Sequence, residues 1–221
     1  MKTNIYFVPG LAANSKIFER LKFDEALYEC HYLEWLIPLS EEETIEAYAK
    51  RMSDQITHEN FVLIGVSFGG IMVQEMSKLK KPKALVIISS IKSSHELPFR
   101  LRIHKMAKTY KLFPANTLNQ IDKLIRKFAG RKAEERMRQY EIYLTQRDPL
   151  YLKWAVYNVL HWQQDKVSEN ILHIHGDADH IFPTRHIEGY LNIKGGTHVM
   201  VLTKAQQIKL SIEEYLQKKI A

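Results

Sequence analysis

The sequence predicts an α/β protein with a mostly parallel central sheet of about six strands and helices on both faces. Short apolar runs alternate with longer helical patterns along the chain, as they do in proteins built from repeated strand–helix units. Two of the runs, residues 61–66 and 84–88, are apolar without a break, which is typical of strands covered on both faces. The 221 residues suffice for a single domain with a sizeable core, and we predict one domain over 1–221.

Six segments have the length and composition of strands. In chain order they are residues 4–8, 30–35, 61–66, 84–88, 171–175 and 190–193. The first run stops at Pro9 and Gly10, which we interpret as a turn after a buried strand. The same two residues interrupt an apolar stretch that faintly resembles a signal peptide, so we expect a cytoplasmic protein.

Helical patterns fill the intervals between the strands. Ser40 and Glu43 form a capping box that predicts a helix reaching about Ile56. A second helix is predicted over residues 69–79, and the last begins near Thr203 and continues almost to the C-terminus.

Residues 91–162 contain no convincing strand. We predict that this segment is an all-helical insertion between the fourth and fifth strands, with Asp148 as an N-cap and Pro149 in the first turn of its last helix. The helical patterns cover residues 99–113, 118–128, 133–144 and 150–162.

The chain is basic, with 32 Lys and Arg against 25 Asp and Glu and a net charge of +7. Many of the cations lie in residues 100–138, where the solvated face of an amphipathic helix is the ordinary explanation. No nucleic-acid motif accompanies the charge, so nucleic acid is not predicted as a partner. Cys30 is the only cysteine, which fits a reducing compartment. No apolar run approaches the roughly 18 residues of a membrane span.

The run Gly65-Val66-Ser67-Phe68-Gly69-Gly70 carries the strongest chemical signal. It follows an apolar strand and opens a helix, which is the context of a sharp turn that presents a nucleophilic serine. Glycines two residues to either side of Ser67 avoid clashes where the chain doubles back. The alternatives are an incidental serine in a glycine-rich loop and a phosphate-binding loop, which fits poorly because no Gly-Lys-Ser/Thr follows.

A serine hydroxyl is a weak nucleophile and needs a base. In enzymes with this turn the acid and then the base follow later strands. The fifth predicted strand runs into Asp177 and Asp179, and the sixth runs into His198. We therefore predict that His198 takes the Ser67 proton and that an aspartate orients its imidazole.

Together these motifs resemble the α/β-hydrolase superfamily over nearly the whole chain. Residues 175–183 resemble the family segment HGxxDxxxP, and this resemblance assigns the acid to Asp179. Asp177 is the competitor, which would instead hydrogen-bond the turn. The separation of Asp179 from His198 is short for the family. The resemblance also implies that residues 91–162 form a cap over the active site.

An oxyanion needs two aimed N–H donors. The resemblance implies that they belong to Phe68, directly after the nucleophile, and to Leu11 in the loop after the first strand. The family usually has His-Gly where this chain has Pro9 and Gly10. The departure is compatible with the role, because the donor is a backbone group.

Residues 195–204 most resemble the branch that contains plant methyl esterases and hydroxynitrile lyases. The lyases have a lysine after the catalytic histidine and a threonine in the oxyanion loop, where this chain has Val199 and Gly10. The resemblance therefore implies hydrolysis of a small ester or related acyl substrate through an acyl-enzyme on Ser67, without a cofactor. Acyl transfer, C–C hydrolysis, lyase chemistry and a non-catalytic ligand-binding relative are the alternatives.

A metal site is a competing interpretation of the fifth strand. His173, His175 and Asp177 resemble the metallo-β-lactamase signature HxHxDH, and the two histidines would share one face of a strand. Ala178 stands where that signature needs a histidine, however, and His180 lies two positions too far along the chain. We predict no metal, and histidines that hydrogen-bond locally.

Overall fold

A computed structural model describes residues 2–106, 141–168 and 170–220, with the side chains of residues 104–106 left out. Six parallel strands form one sheet in the order β2-β1-β3-β4-β5-β6. This architecture confirms the predicted fold class. The strands are β1 (Thr3–Val8), β2 (Tyr28–Tyr32), β3 (Phe61–Val66), β4 (Ala84–Ile88), β5 (Ile171–Gly176) and β6 (Leu191–Ile193).

Helices follow most of the strands. In the described ranges they are α1 (Ile45–Ser53), α2 (Phe68–Leu79), α3 (Phe99–Met106), α4 (Pro149–His161), α5 (Met200–Thr203) and α6 (Ala205–Ile220). Short 3-10 turns occupy Ser15–Phe18, Ser94–Glu96 and Thr184–His186.

The strand order changes direction at β1. The chain first moves from β1 to β2 at one edge and then returns to lay β3 on the other side of β1. Val8 pairs with Gly65 where β1 and β3 end. The loops that leave these two strands therefore emerge side by side, at the position where open α/β sheets usually bind ligands.

Alternate residues of the strands face two separate cores, because successive side chains of a strand point to opposite faces. One core joins Tyr6 and Leu63 to α1, α2 and α4. The other joins Ile5 and Ile64 to α6 and to the turn Ser15–Phe18. Helices therefore cover both faces of the sheet, as the uninterrupted apolar runs predict.

The described parts of residues 91–162 contain α3 and α4 and no strand. Asp148 caps α4 by accepting from the Tyr151 N–H at 2.9 Å, and Pro149 is its first residue, as predicted. Trp154 of α4 stacks on Tyr48 of α1 with ring centroids 4.1 Å apart, so this helix is part of the core. The predicted helix at 118–128, most of 133–144 and the end of 99–113 lie outside the described residues.

Helix α1 begins later than the capping box predicts. Thr44 caps it by accepting from the Ala47 N–H at 3.2 Å. Ser40 instead accepts from the Glu42 N–H in the preceding turn. The Glu43 carboxylate forms an ion pair with Arg51, whereas in a capping box it would accept from the backbone N–H of Ser40.

Two further boundaries differ from the prediction. Helix α1 ends at Ser53 rather than near Ile56, and β2 spans Tyr28–Tyr32 rather than residues 30–35. The C-terminal helix α6 begins at Ala205, close to its predicted start near Thr203, and the short helix α5 precedes it. Among the residues the structure describes, no helix is long and apolar enough to cross a membrane.

Candidate active site

Ser67 lies at the sharp turn between β3 and α2. Its backbone has φ 53° and ψ −119°, in the left-handed half of conformational space that residues with a side chain rarely adopt. Two hydrogen bonds hold the turn: the Ser67 N–H donates to the Ile88 carbonyl at 2.9 Å, and the Ser90 hydroxyl donates to the Ser67 carbonyl at 2.7 Å. The turn therefore presents the Ser67 hydroxyl at the carboxyl end of the sheet.

The glycines around Ser67 are required by close packing. A Cβ at Gly65 would overlap the Gly69 carbonyl, and one at Gly69 would overlap the carbonyl oxygens of Val8 and Pro9. These neighbours are backbone atoms of α2, of β1 and of the first loop, so they have little freedom to move away. The motif thus brings the nucleophile turn against the loop that follows β1.

His198 joins Ser67 to Asp179. Its Nε2 lies 2.9 Å from the Ser67 hydroxyl oxygen, and its Nδ1 lies 2.8 Å from Oδ2 of Asp179. A carboxylate can only accept, so Nδ1 donates and Nε2 of the neutral ring accepts the hydroxyl proton of Ser67. The three side chains that the sequence predicts as nucleophile, base and acid therefore form one hydrogen-bonded relay.

Asp179 is buried, with 3% of its surface exposed. Its Oδ1 accepts from the N–H groups of Ile181 and Phe182 at 2.8 and 2.9 Å. Burial raises the pKa of this carboxyl, but the charge and hydrogen bond of His198 and the Phe182 N–H lower it more. The pKa of Asp179 therefore lies below its ordinary value, so this carboxyl is ionised at neutral pH.

Asp177 occupies a different position from Asp179. It is exposed, and its Oδ1 accepts from the Gly195 N–H at 2.6 Å. It therefore ties the loop after β5 to the loop after β6. Gly176 and Gly196 also meet here, where a Cβ on Gly176 would overlap the Gly196 carbonyl.

The segments that carry the two predicted oxyanion donors lie beside Ser67. Phe68 is the first residue of α2, so its N–H has no acceptor within the helix. Gly10, which precedes Leu11, lies beside Ser67, and a Cβ on it would stand 3.6 Å from the Ser67 Cβ. The loop turns here with Ala12 at φ 63° and with the Ala13 N–H donating to the Gly10 carbonyl at 3.0 Å.

His173 and His175 form a buried chain behind Asp179. Nε2 of His175 donates to the Phe182 carbonyl at 2.8 Å and lies 3.4 Å from Oδ2 of Asp179. Its Nδ1 lies 3.1 Å from Nε2 of His173. The sequence predicts local hydrogen bonds for these histidines, but it does not predict that His175 contacts Asp179 in addition to His198. The only local signal for this contact is that His175 is the histidine of the HGxxDxxxP segment.

The side chains of the competing metal interpretation do not converge. Both ring nitrogens of His175 are engaged by the protein, whereas Asp177 and His180 are exposed. Within the described ranges, no group of three or more His, Cys, Asp or Glu side chains is arranged to hold a metal ion.

Solved structures of several hydrolases superpose on almost the whole chain. A thermophilic esterase from Thermogutta terrifontis has a TM-score of 0.68 at 15% identity, covering 99% of this chain and 90% of that one. An α/β hydrolase enzyme from the metagenome of lagoon sediments at Mar Chica, Morocco, has a TM-score of 0.59 at 18% identity, covering 100% and 93%. A thioesterase from the prodiginine biosynthetic pathway in Streptomyces coelicolor has a TM-score of 0.68 at 14% identity, covering 97% and 85%.

The comparisons establish the fold of the chain. No protein-family model matches it, and no curated protein matches it. At the identities of the structural neighbours, the likeness shows architecture alone. The chain has the α/β-hydrolase fold, as the sequence motifs predict.

The packing around the turn predicts that alanine destabilises the fold at one of two nearby glycines and is tolerated at the other. Gly65→Ala forces a Cβ into the Gly69 backbone, so we expect it to lower the free energy of unfolding by about 3 kcal/mol or more. Gly10→Ala is the matched control, since its Cβ meets neighbours only at 3.6 Å and we expect a change within about 1 kcal/mol. Urea unfolding measures both. Equal stabilities for the two variants would contradict the packing argument.

The buried histidines predict that acid destabilises the fold. Burial, and then the proximity of His175 and Lys92, lower the pKa of His173 to about 2, and burial also lowers the pKa of His175. Unfolded histidines protonate near pH 6.5, so below that pH the unfolded chain binds more protons than the folded chain. Between pH 6.5 and 5 the free energy of unfolding should therefore fall, by up to about 1.4 kcal/mol per pH unit for each histidine.

Urea unfolding at pH 7.5 and pH 5.0 measures this effect, above the range in which ordinary carboxyl groups titrate. His173→Gln should reduce the loss of stability between the two pH values. His95→Gln is the control, because its side chain is 80% exposed, and it should leave the loss unchanged. An undiminished loss in His173→Gln would show that this histidine is not its source.

Proposed function

We propose that the chain is a serine hydrolase that cleaves a carboxylic ester, or a related acyl bond, of a small substrate through an acyl-enzyme on Ser67. The hydrogen-bonded relay from Ser67 through His198 to Asp179 carries the proposal. It joins a serine with a strained backbone, an imidazole whose Nε2 faces the serine hydroxyl, and a buried ionised acid. Each has the property that its role requires.

The first half of the reaction transfers the acyl group to the protein. His198 Nε2 takes the hydroxyl proton as the Ser67 oxygen attacks the substrate carbonyl carbon. The ionised Asp179 stabilises the resulting imidazolium, and the N–H groups of Leu11 and Phe68 stabilise the oxyanion. The tetrahedral intermediate then expels the alcohol, which receives its proton from His198.

The second half returns the free protein. Water gives a proton to His198 and attacks the acyl carbon, and the acid product leaves as the Ser67 oxygen takes that proton back. Every step uses side chains and backbone groups of this chain. We include in the proposal a helical cap formed by residues 91–162 and a cytoplasmic location, which the single unpaired Cys30 supports.

Substitution of Ser67 tests the proposal. With p-nitrophenyl acetate as the substrate, Ser67→Ala should lower kcat/KM by at least about 10⁴-fold, because the acyl-enzyme cannot form. His198→Ala should cause a comparable loss, since its removal leaves the hydroxyl without a base. Steady-state release of p-nitrophenolate measures both. Full activity in Ser67→Ala would disprove the proposed function.

Two neighbouring aspartates provide a matched comparison in the same assay. Asp179→Asn should lower kcat by about 10³ to 10⁴-fold, because an amide can stabilise the wrong tautomer of His198 and no longer balances its charge. Asp177→Asn keeps an oxygen that can accept from the Gly195 N–H, so its kcat should stay within about threefold of the wild type. The reverse order would assign the acid to Asp177.

A further inference from the structure

Trp35 lies just beyond β2 and contacts both segments that supply the proposed oxyanion donors. Its indole N–H donates to the Gly10 carbonyl at 2.9 Å. Its ring stacks on the ring of Phe68 with centroids 5.1 Å apart and an interplanar angle of 21°. The side chain is 6% exposed. One buried residue therefore connects the loop after β1 to the first turn of α2.

The Gly10 carbonyl and the Leu11 N–H belong to the same peptide group. A peptide group is planar, and in its trans form the C=O and N–H bonds point in opposite directions. A donor that holds the carbonyl therefore also sets the direction of the N–H. Trp35 holds it from one side while the Ala13 N–H donates to the same oxygen at 3.0 Å.

We propose that Trp35 is a positioning residue for the oxyanion hole, an inference that rests on the proposed hydrolase function. Through the Gly10 carbonyl it orients the Leu11 N–H, and through the Phe68 ring it packs against the residue that carries the other donor. Two donors on one carbonyl also polarise the peptide group, which makes its N–H a stronger donor. Both effects act on the oxyanion of the transition state more than on the neutral substrate.

The rest of the loop is held by hydrogen bonds that do not involve the indole N–H of Trp35. The Gln146 N–H donates to the Ala12 carbonyl at 3.0 Å, and the Gln146 side chain reaches the Trp35 carbonyl at 3.5 Å. Removal of the indole N–H would therefore leave the loop in place and leave the Gly10 carbonyl with only the Ala13 N–H as a donor, so that the Gly10–Leu11 peptide is oriented less firmly. A change in catalysis without a change in fold is the expected consequence.

Trp35→Phe tests the role, with Trp154→Phe as the matched control. Phenylalanine keeps an aromatic ring against Phe68 and removes only the N–H donor and part of the ring. Trp154 is also buried, with 1% exposed, and its ring lies 5.9 Å from that of Phe68. Its indole N–H donates to the Glu43 carbonyl at 2.7 Å, outside the oxyanion loop. Both variants therefore lose one indole hydrogen bond in the same aromatic cluster.

Two readouts separate positioning from general destabilisation. With p-nitrophenyl acetate, Trp35→Phe should lower kcat by about tenfold or more and leave KM within about twofold, less than the loss of a whole donor. Its affinity for trifluoroacetophenone, whose adduct on the serine carries an oxyanion, should fall in parallel. Trp154→Phe should keep both quantities within about twofold of the wild type.

An isosteric replacement guards against misfolding of Trp35→Phe. Benzothienylalanine at position 35 puts sulfur in place of the indole N–H and keeps the size of the ring, and it should reproduce the loss. Trp35 variants that match Trp154→Phe in kcat and in ketone affinity would overturn the positioning role while the hydrolase stands. A wild type without hydrolytic activity would instead overturn the proposed function and this inference with it.

Discussion

The backbone at Ser67 adopts a positive φ that a residue with a side chain keeps only when its surroundings hold it there. Close packing supplies that hold, because Gly65 and Gly69 bring the turn within contact of its own helix and of the loop after β1. The same contact sets Gly10 beside the serine. Ser67 and the proposed oxyanion loop are thus positioned together by one packing constraint, and the other residues of the candidate site lie around it.

The proposed acid and base, Asp179 and His198, reach this point from the other half of the sheet. They lie on the loops after β5 and β6, which meet where Gly176 packs against Gly196 and where Asp177 accepts from the Gly195 N–H. Burial raises the pKa of Asp179, but the imidazole of His198 and the Phe182 N–H of its own loop help to bring that pKa below its ordinary value. The site therefore combines a strained hydroxyl with a buried charge, and backbone hydrogen bonds of the loops stabilise both.

Local patterns predict the parts of this molecule that local physics decides. Uninterrupted apolar runs identify β3 and β4, and the glycine spacing around Ser67 identifies the turn, because the chemistry of each lies within a few residues. The predicted start of α1 was wrong, because Ser40 and Thr44 are both residue types that cap helices. The capping-box pattern also does not show that Glu43 pairs with Arg51, eight residues further along the chain. Trp35 escaped prediction for a similar reason: its partner Gly10 belongs to another strand's loop.

The most direct test of the account is the site and extent of covalent labelling by a fluorophosphonate, read by intact mass and by mapping of the modified peptide. We expect one adduct per chain, on Ser67, and no adduct in Ser67→Ala or His198→Ala. A folded wild type that stays unlabelled, or an adduct that persists in Ser67→Ala, would contradict the assignment of Ser67 as an activated nucleophile.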